Sequence, residues 1–272
     1  MTTHVPVGSP AMPAAPAGTK RDYAAWAWPL LTLLALLVLL EIAVRGGAVN
    51  PLIMPAPTRV GEALVSLMQQ QFFWRNFYWT AFEATVGFAL GVTLGFTSGL
   101  VIGISKFAKK SVYPLAVAIQ STPQVAIAPL FLIWFGFGIA PRVFFAALSC
   151  FFPVLVAVVV GLNAADQDAR TLLRSLGASR WTMFRKLLFP ASLPTLFAGL
   201  RLAVPAALVG AIVGEFVGGN VGLGVMVTTF NSQLRIAESF AVIVVLAVMG
   251  YSSYLTIEWL DRRVVSWGHR DS

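Results

Sequence analysis

The chain has 272 residues, 58% of them hydrophobic and 11% charged, with a formal net charge of +8 and a mean hydropathy of +0.80. Soluble domains carry about 25% charged residues, so this composition excludes a water-soluble enzyme and points to an integral membrane protein. The positive charge would suit nucleic acid, but no basic stripe interleaved with aromatic rings lies outside the loops; orientation in a membrane accounts for it, and no nucleic-acid partner is expected.

Residues 1–24, rich in Pro, Ala, Gly, Ser and Thr over the first twenty, read as a disordered tail. The apolar run that follows Arg21 is too long for a signal-peptide core, so it is read as a retained first span, from about Trp26 to Val44. Between Thr58 and Phe73 the apolar positions Val60, Leu64, Leu67 and Met68 oppose Arg59, Glu62 and Gln69. That pattern predicts an amphipathic interfacial helix, with an ordinary connector as the alternative. Further spans are expected at Tyr78–Ile104, Val112–Phe135, Val143–Leu162, Leu193–Val217 and Phe240–Leu260. The expectation is therefore an all-α polytopic membrane protein with six transmembrane helices over residues 25–265, closed by a tail at 266–272.

Polar groups within these spans are the candidates for a transport pathway. In the second span these are Glu83 and Thr85. In the third, Gln120, Ser121, Thr122 and Gln124 cluster beside Pro114, Pro123 and Pro129, whose freed carbonyls could line a path. The competing reading is a kinked packing helix. Glu215 and Asn220 enclose the end of the fifth span within a glycine-rich run, where gating and packing both stand as readings, and Arg201 reads as a snorkelling anchor. Cys150, the only cysteine, excludes an internal disulfide and reads as a small packing residue; Trp134, Trp259 and Trp267 suit interfacial belts.

Between the fourth and fifth spans, residues 163–192 form a basic loop, NAADQDARTLLRSLGASRWTMFRKLLFPAS. Asp166 and Asp168 suit the start of a helix, Leu172, Leu173 and Leu176 share a face beside Arg170 and Arg174, and Gly177 suits its left-handed end. Ser179 is placed to cap a second helix reaching Phe189, with Pro190 as its stop. Thirteen Lys and Arg residues fall on the loop's side of the membrane and five, namely Arg45, Arg59, Arg75, Arg142 and Arg235, on the other. The positive-inside bias then places the loop and both termini in the cytoplasm. No GxxxxGK[ST] phosphate loop occurs, and the only histidines, His4 and His269, lie in the tails.

The loop motif RSLGASRW from Arg174 to Trp181, followed by Leu187, Phe189 and Pro190, resembles the cytoplasmic loop of permease subunits of ATP-binding-cassette importers. The stretches STPQVAIAPLFLIWFGFG from Ser121 and VGAIVGEFVGGNVGLG from Val209 are similar to the branch that imports nitrate, sulfonates, taurine and thiamine-precursor pyrimidines. One feature departs from the pattern: the family's acid-Ala-Ala triplet falls on Thr171, Leu172 and Leu173, leaving Asp168 as the nearest acid.

The resemblance implies a type I importer fold in a bacterial inner membrane and a non-catalytic permease role. It implies a second copy to complete a twelve-helix pathway, a cytoplasmic ATPase dimer, and a periplasmic or lipid-anchored solute-binding protein. ATP and Mg would sit on the ATPase, with no cofactor on this chain. The segment Ala169, Arg170, Thr171, Leu172, Leu173, Arg174, Ser175, Leu176, Gly177, Ala178, Ser179 and Arg180 would couple to the ATPase, and Glu83, Gln120, Thr122, Gln124 and Glu215 would be pathway candidates. Alternatives are half of an ion-coupled secondary transporter, which would need inverted repeats, or a non-transporting membrane scaffold.

Overall fold

A computed structural model describes residues 23–265 of the chain. The expectations for the N-terminal tail as far as residue 22, for His4 and His269, for Trp267 and for the tail at 266–272 lie outside the described residues. Everything described is helix and connector, with no strand among the described residues. Five helices are long and apolar enough to cross a membrane, and a bent pair makes a sixth.

In chain order, α1 (Tyr23–Arg45) is followed by the amphipathic α2 (Pro57–Met68) and the long α3 (Gln71–Ile104). A helix stands where the amphipathic one is expected, and Leu67 is buried where α2 packs on the bundle. Next come α4 (Lys106–Ser111), α5 (Tyr113–Gln120) and α6 (Gln124–Phe135), then α7 (Ile139–Asn163). The connecting loop holds α8 (Gln167–Ser175) and the single-turn α9 (Arg180–Met183). After these come α10 (Phe189–Gly218), α11 (Leu223–Ser232) and α12 (Ile236–Val264).

The core is α7, flanked by α3 and α10, and glycines set how close the helices lie. On α3, Gly87, Gly91, Gly95 and Gly99 recur every fourth residue and are buried, so they form one stripe. A Cβ at Gly91 would stand 2.3 Å from both the Ala147 carbonyl oxygen and the Cys150 sulfur. From the other side, a Cβ on Gly210 of α10 would stand 2.5 Å from the Phe145 carbonyl. Lipid gives apolar helices no hydrophobic reason to associate, so such backbone-to-backbone packing supplies the attraction. Cys150 is fully buried in this contact, the packing role read from the sequence. A second cluster, of Leu67, Phe73, Leu223, Met226, Val227, Phe230, Ala241 and Val242, joins α2, α3, α11 and α12 at one end of the bundle.

Three elements differ from the sequence reading. The third span is not continuous: α5 and α6 meet at a bend of 100°. Pro123 sits there in an extended conformation, φ −61° and ψ 106°. It supplies no N–H to carry the helix on, and it disfavours helical geometry at Thr122. Gln120 and Gln124 therefore belong to different helices rather than to successive turns of one.

Pro190, expected to stop a helix, instead lies in the first turn of α10, and Arg180–Gly218 runs through as one 39-residue span. A π-helical turn at Phe184–Leu188 makes this possible. The Phe189 N–H donates to the Phe184 carbonyl, five residues back, so the ladder is already widened where the proline ring would meet the preceding turn. Finally, α11 stands between the fifth and sixth expected spans, where no helix is expected from the sequence.

Candidate functional site: the loop helix and the buried cluster at the opposite end

The loop between α7 and α10 folds as its capping residues dictate. The Asp166 side chain accepts the Asp168 N–H at 3.0 Å, and the Ser179 hydroxyl accepts the Thr182 N–H at 3.1 Å, each satisfying a donor that a helix start leaves free. Gly177 takes φ +73°. Around it the Ala178 N–H donates to Leu173 O and the Gly177 N–H to Arg174 O, both at 2.9 Å, the paired bonds of a Schellman end. Thr171 and Ser175 turn their hydroxyls onto carbonyls one turn back.

This helix stands clear of the bundle. Leu172 is 60% exposed, Leu176 73% and Trp181 69%, while Ala169, Leu173 and Ala178 are half-buried and Arg174 and Arg180 exposed. Arg170 does something different from its neighbours. Its Nη2 donates to the Leu162 carbonyl at 2.7 Å, tying α8 to the last turn of α7, where a cation also suits the helix dipole. Lys109 of α4 donates to Asn163 Oδ1 at 2.8 Å, a tie to the same end of α7. The loop helix is thus fixed at its base and leaves Leu172 and Leu176 exposed.

At the opposite end, Glu83 and Glu215 come together in a buried cluster that sequence reading did not assemble. Arg142, assigned to a water-facing loop, is only 3% exposed. Its Nη1 donates to Glu83 Oε1 at 2.5 Å and to the Val221 carbonyl at 3.0 Å, and its Nε donates to the Gly138 carbonyl at 2.8 Å. The Glu215 carboxylate accepts the Thr80 hydroxyl at 2.6 Å and the Gly224 N–H at 2.5 Å. Thr80 also accepts the Leu223 N–H at 2.8 Å, and Asn76 Oδ1 accepts the Gly222 N–H at 2.6 Å. Three side chains thus cap the first turn of α11.

The other pathway candidates lie elsewhere. Gln120 and Thr122 are exposed at the bend between α5 and α6, and the cluster is built without them; the Gln124 side chain lies outside what the structure describes. Thr85 is exposed and bonds the Ala81 carbonyl of its own helix. Asn220 is exposed and takes no part in the cluster. Arg201, read as a snorkelling anchor, instead forms an ion pair with Asp261, itself 5% exposed, and joins α10 to α12. A groove of about 970 Å³ opens between the end of α1, the start of α2 and the link to α12. Its arginines are each matched, Arg45 with Glu41, Arg59 with Glu62 and Arg235 with Glu238, so it offers no spare charge.

An amphipathic helix with two exposed leucines thus stands off a multi-span bundle, and comparisons with known proteins identify the family. Residues 91–266 match the family described as the binding-protein-dependent transport system inner membrane component. The formylaminopyrimidine transport permease protein ThiX of Halalkalibacterium halodurans is 34% identical over 91% of this chain and 98% of its own length. The riboflavin transport system permease protein RibX of Chloroflexus aurantiacus is 30% identical over 88% and 91%. Among solved structures, an inward-facing form of the MetNI methionine ABC transporter superposes with a TM-score of 0.62 at 18% identity, covering 72% of this chain and 97% of that one. The chain therefore belongs to the binding-protein-dependent inner membrane components, the non-catalytic permease subunits of bacterial ABC importers that depend on a separate ATPase and a solute-binding protein.

Proposed function

We propose that this permease carries a small planar nitrogen heterocycle, first of all a thiamine-precursor pyrimidine, and that it works as a symmetric pair with both termini in the cytoplasm. The observation that carries the coupling half of this reading is α8 itself, with Leu172 and Leu176 exposed and no element over them among the described residues. Burying one leucine is worth about 1.5–3 kcal/mol, so the two exposed leucines of each copy offer its ATPase a substantial foothold. Leu172, Leu173 and Leu176 enter the ATPase groove, Arg174 and Arg180 line its margin, and Gly177 sets the angle at which the helix is presented. ATP and Mg are held by the ATPase. Closure of the ATPase pair draws the two α8 helices together, and the rigid tie through Arg170 passes that movement to α7. The substrate half rests on the two relatives named for a formylaminopyrimidine and for riboflavin.

The test is uptake in proteoliposomes holding the permease, its ATPase and its binding protein, with radiolabelled formylaminopyrimidine. ATP-dependent uptake is expected, competed by riboflavin more strongly than by taurine or nitrate. Competition only by taurine or nitrate would move the substrate to the sulfonate or anion branch.

A further inference from the structure

Three charged side chains meet at the end of the bundle away from α8 with almost no exposed surface: Glu83 at 0%, Glu215 at 2% and Arg142 at 3%. The neighbouring α6 and α11 carry no titratable side chain, so two carboxylates face one guanidinium. Glu215 has a donor on each oxygen. Glu83 does not: Oε1 accepts from Arg142, while Oε2 has no hydrogen-bond partner. A buried carboxyl oxygen without a partner is unfavourable and gains by reaching water.

What keeps water out is the turn before α11. Gly222 has φ +130°, and a Cβ there would stand 2.2 Å from the Glu215 carboxyl carbon, so the turn closes directly on the acid. Four consecutive residues, from this turn into the start of α11, are held by side chains that are buried except for the half-buried Asn76. The Val221 carbonyl accepts from Arg142, and the N–H groups of Gly222, Leu223 and Gly224 donate to Asn76, Thr80 and Glu215. Lifting the turn would break all four bonds together and hydrate a cluster in which two carboxyl groups share one guanidinium. Two opposed terms on one hinged segment make a two-state element.

We propose that residues 219–224 and α11 form a releasable cap on the outer end of the bundle, latched by Asn76, Thr80, Arg142 and Glu215, with Glu83 as the positioning residue that keeps the latch able to open. The word outer rests on the topology proposed above; the latch does not depend on the solute carried. Opening accompanies nucleotide-driven movement of α7, the helix that carries Arg142.

The test uses the purified complex of permease and ATPase in detergent, where sidedness does not enter. Leu223, 0% exposed behind the latch, is changed to cysteine in a Cys150→Ala background and labelled with a small water-soluble maleimide. Labelling is expected to rise about fivefold or more when ATP, Mg and vanadate trap the ATPase. Glu83→Gln keeps an oxygen for Arg142 and replaces the unpartnered carboxyl oxygen by an amide nitrogen. It should suppress that rise while leaving thermal stability equal or higher. Thr80→Val and Glu215→Gln loosen the cap and should raise labelling without nucleotide.

A merely structural cluster gives the opposite signature, in which Glu83→Gln lowers thermal stability and raises resting labelling; that result overturns the proposal. Labelling of Leu223→Cys that stays unchanged on trapping, while the ATPase still binds nucleotide, overturns it as well. Failure of pyrimidine uptake with the trapped-state rise intact would count against the substrate reading alone.

Discussion

Leu172→Glu should leave the permease inserted and folded yet reduce recovery of its ATPase by at least about tenfold when the complex is purified through the permease. The side chain is 60% exposed, so nothing within the chain is lost by replacing it. In the assembled transporter it would be covered, and the substitution both forfeits about 1.5–3 kcal/mol of apolar burial and brings an unpaired carboxylate into an apolar groove. Since 1.4 kcal/mol is one decade in affinity, tenfold is the lower bound. Gly177→Val acts on the same contact by another route. No neighbour lies within 4 Å of a Cβ at Gly177, but φ is +73°, which costs a side-chain-bearing residue about 1–2 kcal/mol, more when β-branched. The helix end would unwind or tilt, and ATPase recovery should fall by a smaller factor. Pull-down yields normalised to permease, for both variants, check the order.

Gly91→Leu should be the most damaging single change in the membrane core. The position is buried on α3, and the first added atom would already stand 2.3 Å from a backbone carbonyl and from the Cys150 sulfur of α7. Neither a backbone carbonyl nor a core sulfur can rotate away. Overpacking of this kind costs about 1–3 kcal/mol or more, and here it also separates two helices whose contact runs from Gly87 to Gly99. The expected result is loss of the monodisperse peak in detergent and a strongly lowered melting temperature. By contrast, Gly61→Leu, on α2 with nothing within 4 Å of its Cβ, should be tolerated. Equal behaviour of the two variants would mean that the α3–α7 contact does not hold the bundle together.

What could be read from residues alone followed the local rules. Hydropathy located the spans, and Asp166, Gly177 and Ser179 announced the loop helices because capping is decided within four residues of the chain. The glycine stripe on α3 is equally local in spacing, four residues apart from 87 to 99, but its partner surface on α7 is a tertiary fact. The segment that forms α11 also carried its own signal: Leu223, Met226, Val227 and Phe230 follow helical spacing and are all buried. The many glycines around it masked that pattern. Arg142 could not be placed from its neighbours. It follows Pro141 at the start of a span, where a loop cation is the ordinary reading, and its partner Glu83 lies 59 residues away. The acids were singled out for their depth in the membrane, but their pairing with Arg142 is a tertiary fact. The bend at Pro123 and the π turn before Pro190 show the same divide. A proline marks where a helix is stressed, and the surrounding packing decides whether it bends, widens or stops.

Coupling to a cytoplasmic ATPase requires α8 to face the cytoplasm and α11 the opposite side, and one measurement addresses that directly. Thr171 on α8 and Asn231 on α11 are both exposed and are changed singly to cysteine in a Cys150→Ala background. Intact cells are then treated with a membrane-impermeant maleimide. Asn231→Cys should label in intact cells, and Thr171→Cys only after the membrane is opened. Labelling of Thr171→Cys in intact cells would place the loop helix outside, away from any cytoplasmic ATPase, and would contradict the coupling mechanism.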